Sequence, residues 1–160
     1  MADHVFPEPA PLNDVAAFHR TFHLPILESP AIPGEDRCAL RINLLQEELD
    51  ELKDAIRDKD LTAIADALSD LQYVLSGAIL EFGLGEKFVE LFNEVQRSNM
   101  SKACDTELQA QETVEHYKAK GEEAFYEKSG NKFNVHRISD NKVLKNKYYS
   151  AADLKSIIEK

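Results

Sequence analysis

The sequence predicts an all-α fold, a helical bundle with a small β-hairpin near its C-terminus, and three observations lead there. No glycine or proline interrupts the chain from Glu35 to Lys59. In that run and the next, apolar residues recur at spacings of three and four, the period of a helix with one buried face. Residues 132–145 differ, with β-branched and aromatic residues around a polar turn and no helical stripe.

The elements follow in order. The opening segment to about Asn13 is proline-rich and aperiodic, and Asn13 or Asp14 caps a short helix bearing Val15, Phe18 and Phe22. Pro25, Pro30 and Pro33 make residues 23–34 an extended connection. A second helix spans Glu35 to Lys59, with Ile42, Leu45, Leu49, Leu52 and Ile56 as its buried stripe. Asp60 caps a third, striped by Ile64, Leu68, Leu71, Leu75 and Ala78 or Ile79 and ended by Gly83 and Gly85. So short a link predicts an antiparallel pair. Lys87 to about Lys102 adds another long helix through Phe88, Leu91, Phe92 and Val95. Thr106 to Lys120 reads as a more exposed helix anchored by Leu108, Val114 and Tyr117 and ended by Gly121. Phe133 and Val135, then Val143 and Leu144, flank Ser139, Asp140 and Asn141 as the hairpin. Ser150 caps a last short helix over Leu154, Ile157 and Ile158.

At 160 residues and 43% hydrophobic, the chain is the size of one domain, 1–160. Within it, 12–103 carry the candidate catalytic helices, and 104–160 the C-terminal helix, hairpin and tail. A formal net charge of −10 argues against a nucleic-acid partner. The N-terminus has no basic region followed by an apolar stretch, and no run of eighteen apolar residues exists, so no membrane is expected. Cys38 and Cys104 lack metal-ligand spacing and read as reduced thiols of a cytoplasmic protein.

An acidic chain still binds a small polyanion when divalent cations bridge the two. The second helix carries Glu47, Glu48 and Glu51 in its apolar run, and the third carries Asp66 and Asp70. At about 100° per residue, Glu48 and Glu51 border the apolar stripe on the side of Arg37, Arg41 and Leu44, and Asp66 and Asp70 border theirs. Antiparallel packing faces the two acidic pairs. Clustered carboxylates repel and lose hydration unless cations compensate. Mg²⁺, or Mn²⁺ in its place, suits such oxygen ligands and is commonly shared with substrate phosphates, which points to hydrolysis of a phosphate chain. Spacing alone leaves an ordinary solvated face open, as Glu47, Asp50, Lys53, Asp54 and Arg57 illustrate.

The string Leu44-Leu45-Gln46-Glu47-Glu48-Leu49-Asp50-Glu51-Leu52, followed by Ile64-Ala65-Asp66-Ala67-Leu68-Ser69-Asp70-Leu71-Gln72-Tyr73-Val74, resembles the all-α NTP pyrophosphohydrolases. That superfamily includes MazG proteins, dimeric dUTPases and phosphoribosyl-ATP pyrophosphohydrolase. Asn99-Met100-Ser101-Lys102 and Lys142-Val143-Leu144-Lys145 before Tyr148-Tyr149 are similar to the phosphoribosyl-ATP pyrophosphohydrolase-like branch. The resemblance implies a MazG-like bundle that binds Mg²⁺ and cleaves a nucleoside triphosphate between its α and β phosphates, giving a monophosphate and pyrophosphate. It also implies a homodimer or higher assembly. It places the family's E-x-x-E on Glu48 and Glu51, and the aspartate of its E-x-x-D on Asp70. Ala67 stands where that second motif has glutamate, with Asp66 as substitute. Glu47 is a further ligand or the base that orients water.

Arg37 and Arg41, on the Glu48 side of the helix, either clamp the outer phosphates or pair with neighbouring acids. Asn99 and Lys102 offer an amide and an ammonium to the nucleotide, or merely complement a helix C-terminus. Lys142 and Lys145, with Tyr148 and Tyr149, form a flap over substrate or pack on the bundle. The histidines and cysteines have no partners at catalytic spacing. Phosphoribosyl-ATP hydrolysis and a non-catalytic nucleotide-binding module are the alternative functions.

Overall fold

Nothing in the sequence stops a helix across residues 35–58, and α2 occupies that run, Glu35–Asp58. The computed structural model describes residues 5–160, so the first four residues of the opening segment lie outside it. Lys59 takes a left-handed conformation (φ 58°) and reverses the chain. The Asp60 carboxylate accepts from the N–H groups of Thr62 and Ala63 at 2.9 and 3.1 Å. This cap satisfies two of the donors that a helix start leaves unpaired. It opens α3, Leu61–Glu81, which packs along α2. Contacts cluster the chain into two compact units, Met1–Phe88 and Val89–Lys160.

In the first unit α1, Pro11–Thr21, also packs on α3. It starts earlier than the expected cap at Asn13 or Asp14, because Pro11 occupies the first turn, where its missing N–H costs nothing. Val15, Ala16 and His19 form its buried face, and Val15 and Ala16 join Leu80 in a core flanked by Leu12 and Ile26. Phe18 and Phe22, expected inside, are exposed and lie against one another. The connection 22–34 is free of helix, as its prolines predict. It is tied to the end of α3 by Leu27 N–H to the Leu80 carbonyl and Ala31 N–H to that of Phe82. Gly83 (φ 66°) makes that approach possible, since a Cβ there would meet the Ser29 carbonyl oxygen at 1.9 Å.

The predicted stripes of α2 and α3 are only in part the faces the helices bury: Ile79 is buried and Leu45, Leu52, Ile64 and Leu71 are half-buried. Ile42, Leu49, Ile56, Leu68 and Leu75 are exposed, whereas Arg41, Ala55, Ala67, Ser76 and Gly77 are buried. Small side chains let two helices approach closely, so the long apolar residues flank the contact. By length and composition α3 matches a membrane span, but it carries Asp66 and Asp70 and packs against both α1 and α2.

After a 3₁₀ turn at Gly85–Lys87, α4 covers Phe88–Met100, belongs to the second unit from Val89 onward, and stops short of the expected Lys102. Thr106 caps α5, Glu107–Lys118, by accepting from Gln109 N–H at 3.2 Å. Ala110 and Thr113 anchor α5, with Val114 and Tyr117 packed nearby, while Leu108 is exposed. The hairpin is displaced from its expected place. Its strands are β1, Ala124–Ser129, and β2, Lys132–Arg137, antiparallel with Tyr126 opposite Val135 and Ser129 opposite Lys132. Gly130 (φ 59°) makes its turn. The expected turn at 139–141 exists, but it returns the chain only to a single bridge between His136 and Val143. Cys104, Ala110, Val135 and Leu144 form the core of this unit. The last helix, α6, Leu154–Ile158, is capped by Asp153 and not by Ser150, because the Asp153 carboxylate accepts from Ser156 N–H and Oγ.

Candidate active site

Five carboxylates line the α2–α3 pair. Glu47, Glu48 and Glu51 stand on α2, and Asp66 and Asp70 on α3. The antiparallel pairing that sets Gly77 against Arg41 sets Asp70 level with Glu48. Glu48 is half-buried and the others are exposed. Partial burial first, then the charges of Asp70, Glu51, Glu47 and Asp66, hold the Glu48 carboxyl above its ordinary value.

Among the described residues none of these five side chains has a hydrogen bond or an ion pair. The next acids along α2 are different: Asp50 takes Lys53 at 2.7 Å and Asp54 takes Arg57 at 2.7 Å. An all-carboxylate donor set without internal cations fits a hard divalent ion. As placed, no three His, Cys, Asp or Glu side chains among the described residues close on one point as a finished metal cage. Ala67 is 2% exposed, so the position that holds glutamate in the resembled motif faces inward here without a carboxylate. Asp66 has the smallest influence on Glu48 of the four acids around it.

Arg37 and Arg41 meet a residue that sequence reasoning missed. Both donate to Glu81, at the end of α3, whose side chain is fully buried. Arg37 Nε donates to Glu81 Oε2 at 3.0 Å, and the Nη2 atoms of Arg37 and Arg41 both reach Oε1. Burial pushes the Glu81 carboxyl up, but the two guanidinium groups more than offset this and hold it below its ordinary value. Arg41 Nη2 also lies 3.2 Å from His19 Nε2, and His19 Nδ1 lies 2.8 Å from the Pro25 carbonyl oxygen. Arginine only donates and a carbonyl only accepts, so His19 is neutral with its proton on Nδ1. Glu81 carried no earlier signal because it reads as an ordinary polar end to an apolar helix, and its partners lie 40 and 44 residues away.

The remaining candidates lie in the second unit. Lys102 Nζ donates to Asn99 Oδ1 at 2.8 Å. Tyr148 gives its hydroxyl proton to Glu112 at 2.6 Å, and that bond raises the pKa of the phenol. The Lys145 ammonium sits 4.4 Å from the centroid of the Tyr149 ring. Lys142 is exposed beyond the 139–141 turn. The two segments that carried the resemblance here are bound to one another. Asn146 N–H donates to the Lys102 carbonyl, Ser150 N–H to Ser101 Oγ, and Tyr149 and Ser98 share a hydroxyl bond of 2.9 Å.

Residues 15–99 match the sequence profile of the family described as phosphoribosyl-ATP pyrophosphohydrolase. An uncharacterized protein of Acanthamoeba polyphaga mimivirus is 31% identical over 123 residues, covering 69% of this chain and 49% of that protein. The chain spans about half the length of that relative.

Proposed function

The chain belongs to the phosphoribosyl-ATP pyrophosphohydrolase family, within the MazG-like all-α NTP pyrophosphohydrolases, and from that premise we propose that it is a Mg²⁺-dependent nucleotide pyrophosphohydrolase. Water attacks the phosphate chain between its α and β phosphorus atoms, and a nucleoside monophosphate and pyrophosphate leave. The observation that carries this reading is the row of carboxylates along the α2–α3 pair, Glu47, Glu48, Glu51, Asp66 and Asp70, that receive no cation from the described residues, whereas Asp50 and Asp54 beside them do.

Glu48, Glu51, Asp66 and Asp70 would hold Mg²⁺, with Mn²⁺ as a substitute. The bound cation supplies positive charge to the phosphate oxygens. Glu47, exposed beside this set, orients the attacking water and takes its proton. Arg37 supplies a guanidinium to an anionic group of the substrate, and Arg41 fixes the end of α2 that carries it. Lys102 is bonded to Asn99, Tyr148 to Glu112, and Lys145 lies over the Tyr149 ring, so of these candidates Lys142 keeps an exposed head suited to contact with an anion.

The family description favours a second reading of the substrate, phosphoribosyl-ATP. The exposed run of Ile42, Leu49 and Ile56 supports a homodimer in which a second copy covers it, and light scattering would report the mass. Pyrophosphate release from a panel of NTPs and phosphoribosyl-ATP with Mg²⁺ tests the function. Turnover of one substrate class is expected, with a loss of about a hundredfold or more in Glu51→Gln at unchanged melting temperature. No turnover of any nucleotide, or full activity in Glu51→Gln, would sink the reading.

A further inference from the structure

The two strands of the hairpin differ in what lies beyond them. In an antiparallel ladder, alternate residues turn their backbone groups toward the partner strand and away from it. On β2 the outward residues are Phe133, Val135 and Arg137, and each is met. Phe133 exchanges two bonds with Cys104, at 2.8 and 2.9 Å, the Val135 carbonyl accepts from Leu144 N–H, and Arg137 N–H donates to the Lys142 carbonyl. The residues opposite them on β1 are Lys128, Tyr126 and Ala124. These three therefore turn outward as well, and their backbone N–H and C=O groups have no partner among the described residues.

An open edge is a template for another strand, and proteins that avoid such pairing blunt it with proline, a bulge or an edge lysine. β1 carries no proline and no bulge from Ala124 to Ser129. Its one blunting residue, Lys128, is placed so that it selects a partner. About a two-fold axis at Tyr126, Ala124 of one copy stands opposite Lys128 of the other, and Tyr126 opposite Tyr126. Every outward N–H then finds an outward carbonyl. Lys128 lies diagonal to Glu122 of the second copy on the same face, within reach of a long side chain. Lys128 is exposed and the Glu122 side chain is 41% exposed, so both are accessible from outside the hairpin. The helix above leaves room for this pairing. α5 packs on both strands, so a strand added about 4.8 Å beyond β1 carries its own α5 to about 10 Å from the first, an ordinary helix packing distance.

We infer that β1 is a docking edge for β1 of a second copy, which joins two hairpins into one four-stranded antiparallel sheet. This seam uses none of the exposed residues of α2 and is independent of the reading of the carboxylates. A chain that pairs through both surfaces assembles beyond a dimer.

The test follows mass and amide exchange in the full chain. Sedimentation equilibrium over a concentration series should give wild type a mass that Lys128→Pro halves, because proline there removes an N–H the hairpin itself does not use. Lys128→Glu keeps the backbone intact and sets like charges against one another, and it should raise the dissociation constant about tenfold. Adding Glu122→Lys to that variant should bring the constant back toward wild type. Hydrogen exchange locates the seam. In associated wild type the amides of Ala124, Tyr126 and Lys128 should be protected, and on dilution they should lose that protection while Phe125 and Glu127, bonded within the hairpin, keep theirs. The same two amides report whether Lys128→Pro retains its hairpin. A monomeric wild type, a mass that survives Lys128→Pro with the hairpin folded, or fast exchange at Tyr126 in the associated protein would overturn the seam and leave the edge to solvent or to a foreign strand.

Discussion

Glu81 and Glu48 are carboxylates of the same α2–α3 pair, and they live under opposite conditions. Glu81 is fully buried, receives two arginines and is held below its ordinary pKa. Glu48 is half-buried, receives only other acids and is held above it. Burial alone would push both up, so the difference lies in the company each keeps. One cluster completes its charge within the chain and welds three helices together. The other leaves its charge open, which is the condition for taking a cation from solution.

The largest expected effect breaks the closed cluster. Glu81→Gln strands two guanidinium groups against a fully buried side chain, and chemical denaturation should show a loss of about 3–5 kcal/mol. The open cluster should show the reverse economy, in which filling it stabilises. Mg²⁺ at about a hundred times its dissociation constant should add about 2.7 kcal/mol to wild type. Little should be gained by a Glu48→Gln, Asp70→Asn double variant, and thermal unfolding with and without Mg²⁺ compares them. Next comes Gly77→Ala, which drives a methyl group into an Arg41 head already fixed by Glu81 and His19. It should cost about 1–3 kcal/mol by denaturation.

The smallest effect lies in the second unit and calibrates the comparison with an exposed ion pair. The two hydrogen bonds from Arg97, with that from Asp153 N–H, lower the Glu94 carboxyl from 4.5 to about 2. A depressed folded-state pKa contributes stability above the unfolded value and loses it as pH falls through the folded one. The contribution is therefore complete above about pH 4.5 and disappears toward pH 2. Glu94→Gln should lower the melting temperature modestly at pH 7 and flatten the acid limb of the melting curve, so that variant and wild type converge toward pH 2.

Much of this arrangement was legible in the sequence, and the reasons are local. An uninterrupted run, an Asp60 cap and a link of two residues are short-range instructions, and they suffice to set Asp70 level with Glu48. The buried faces were less legible. Leucine and isoleucine spacing identifies a helix but does not say which side its neighbour takes, and here Ala55, Ala67 and Gly77 mark the contact. The hairpin was misplaced because Ser139-Asp140-Asn141 is a louder turn signal than Gly130-Asn131, although both turns form. Glu81 was invisible because its meaning depends on Arg37 and Arg41, which only folding brings to it.

His19 gives the molecule an internal gauge. Its Nδ1 proton is bonded to Pro25 inside a residue 2% exposed, so it exchanges slowly with water. In a proton NMR spectrum it should stand alone, far downfield of the amides. That resonance survives only while α1 stays docked, so it times the opening of this helix without an added label and without any assay of turnover.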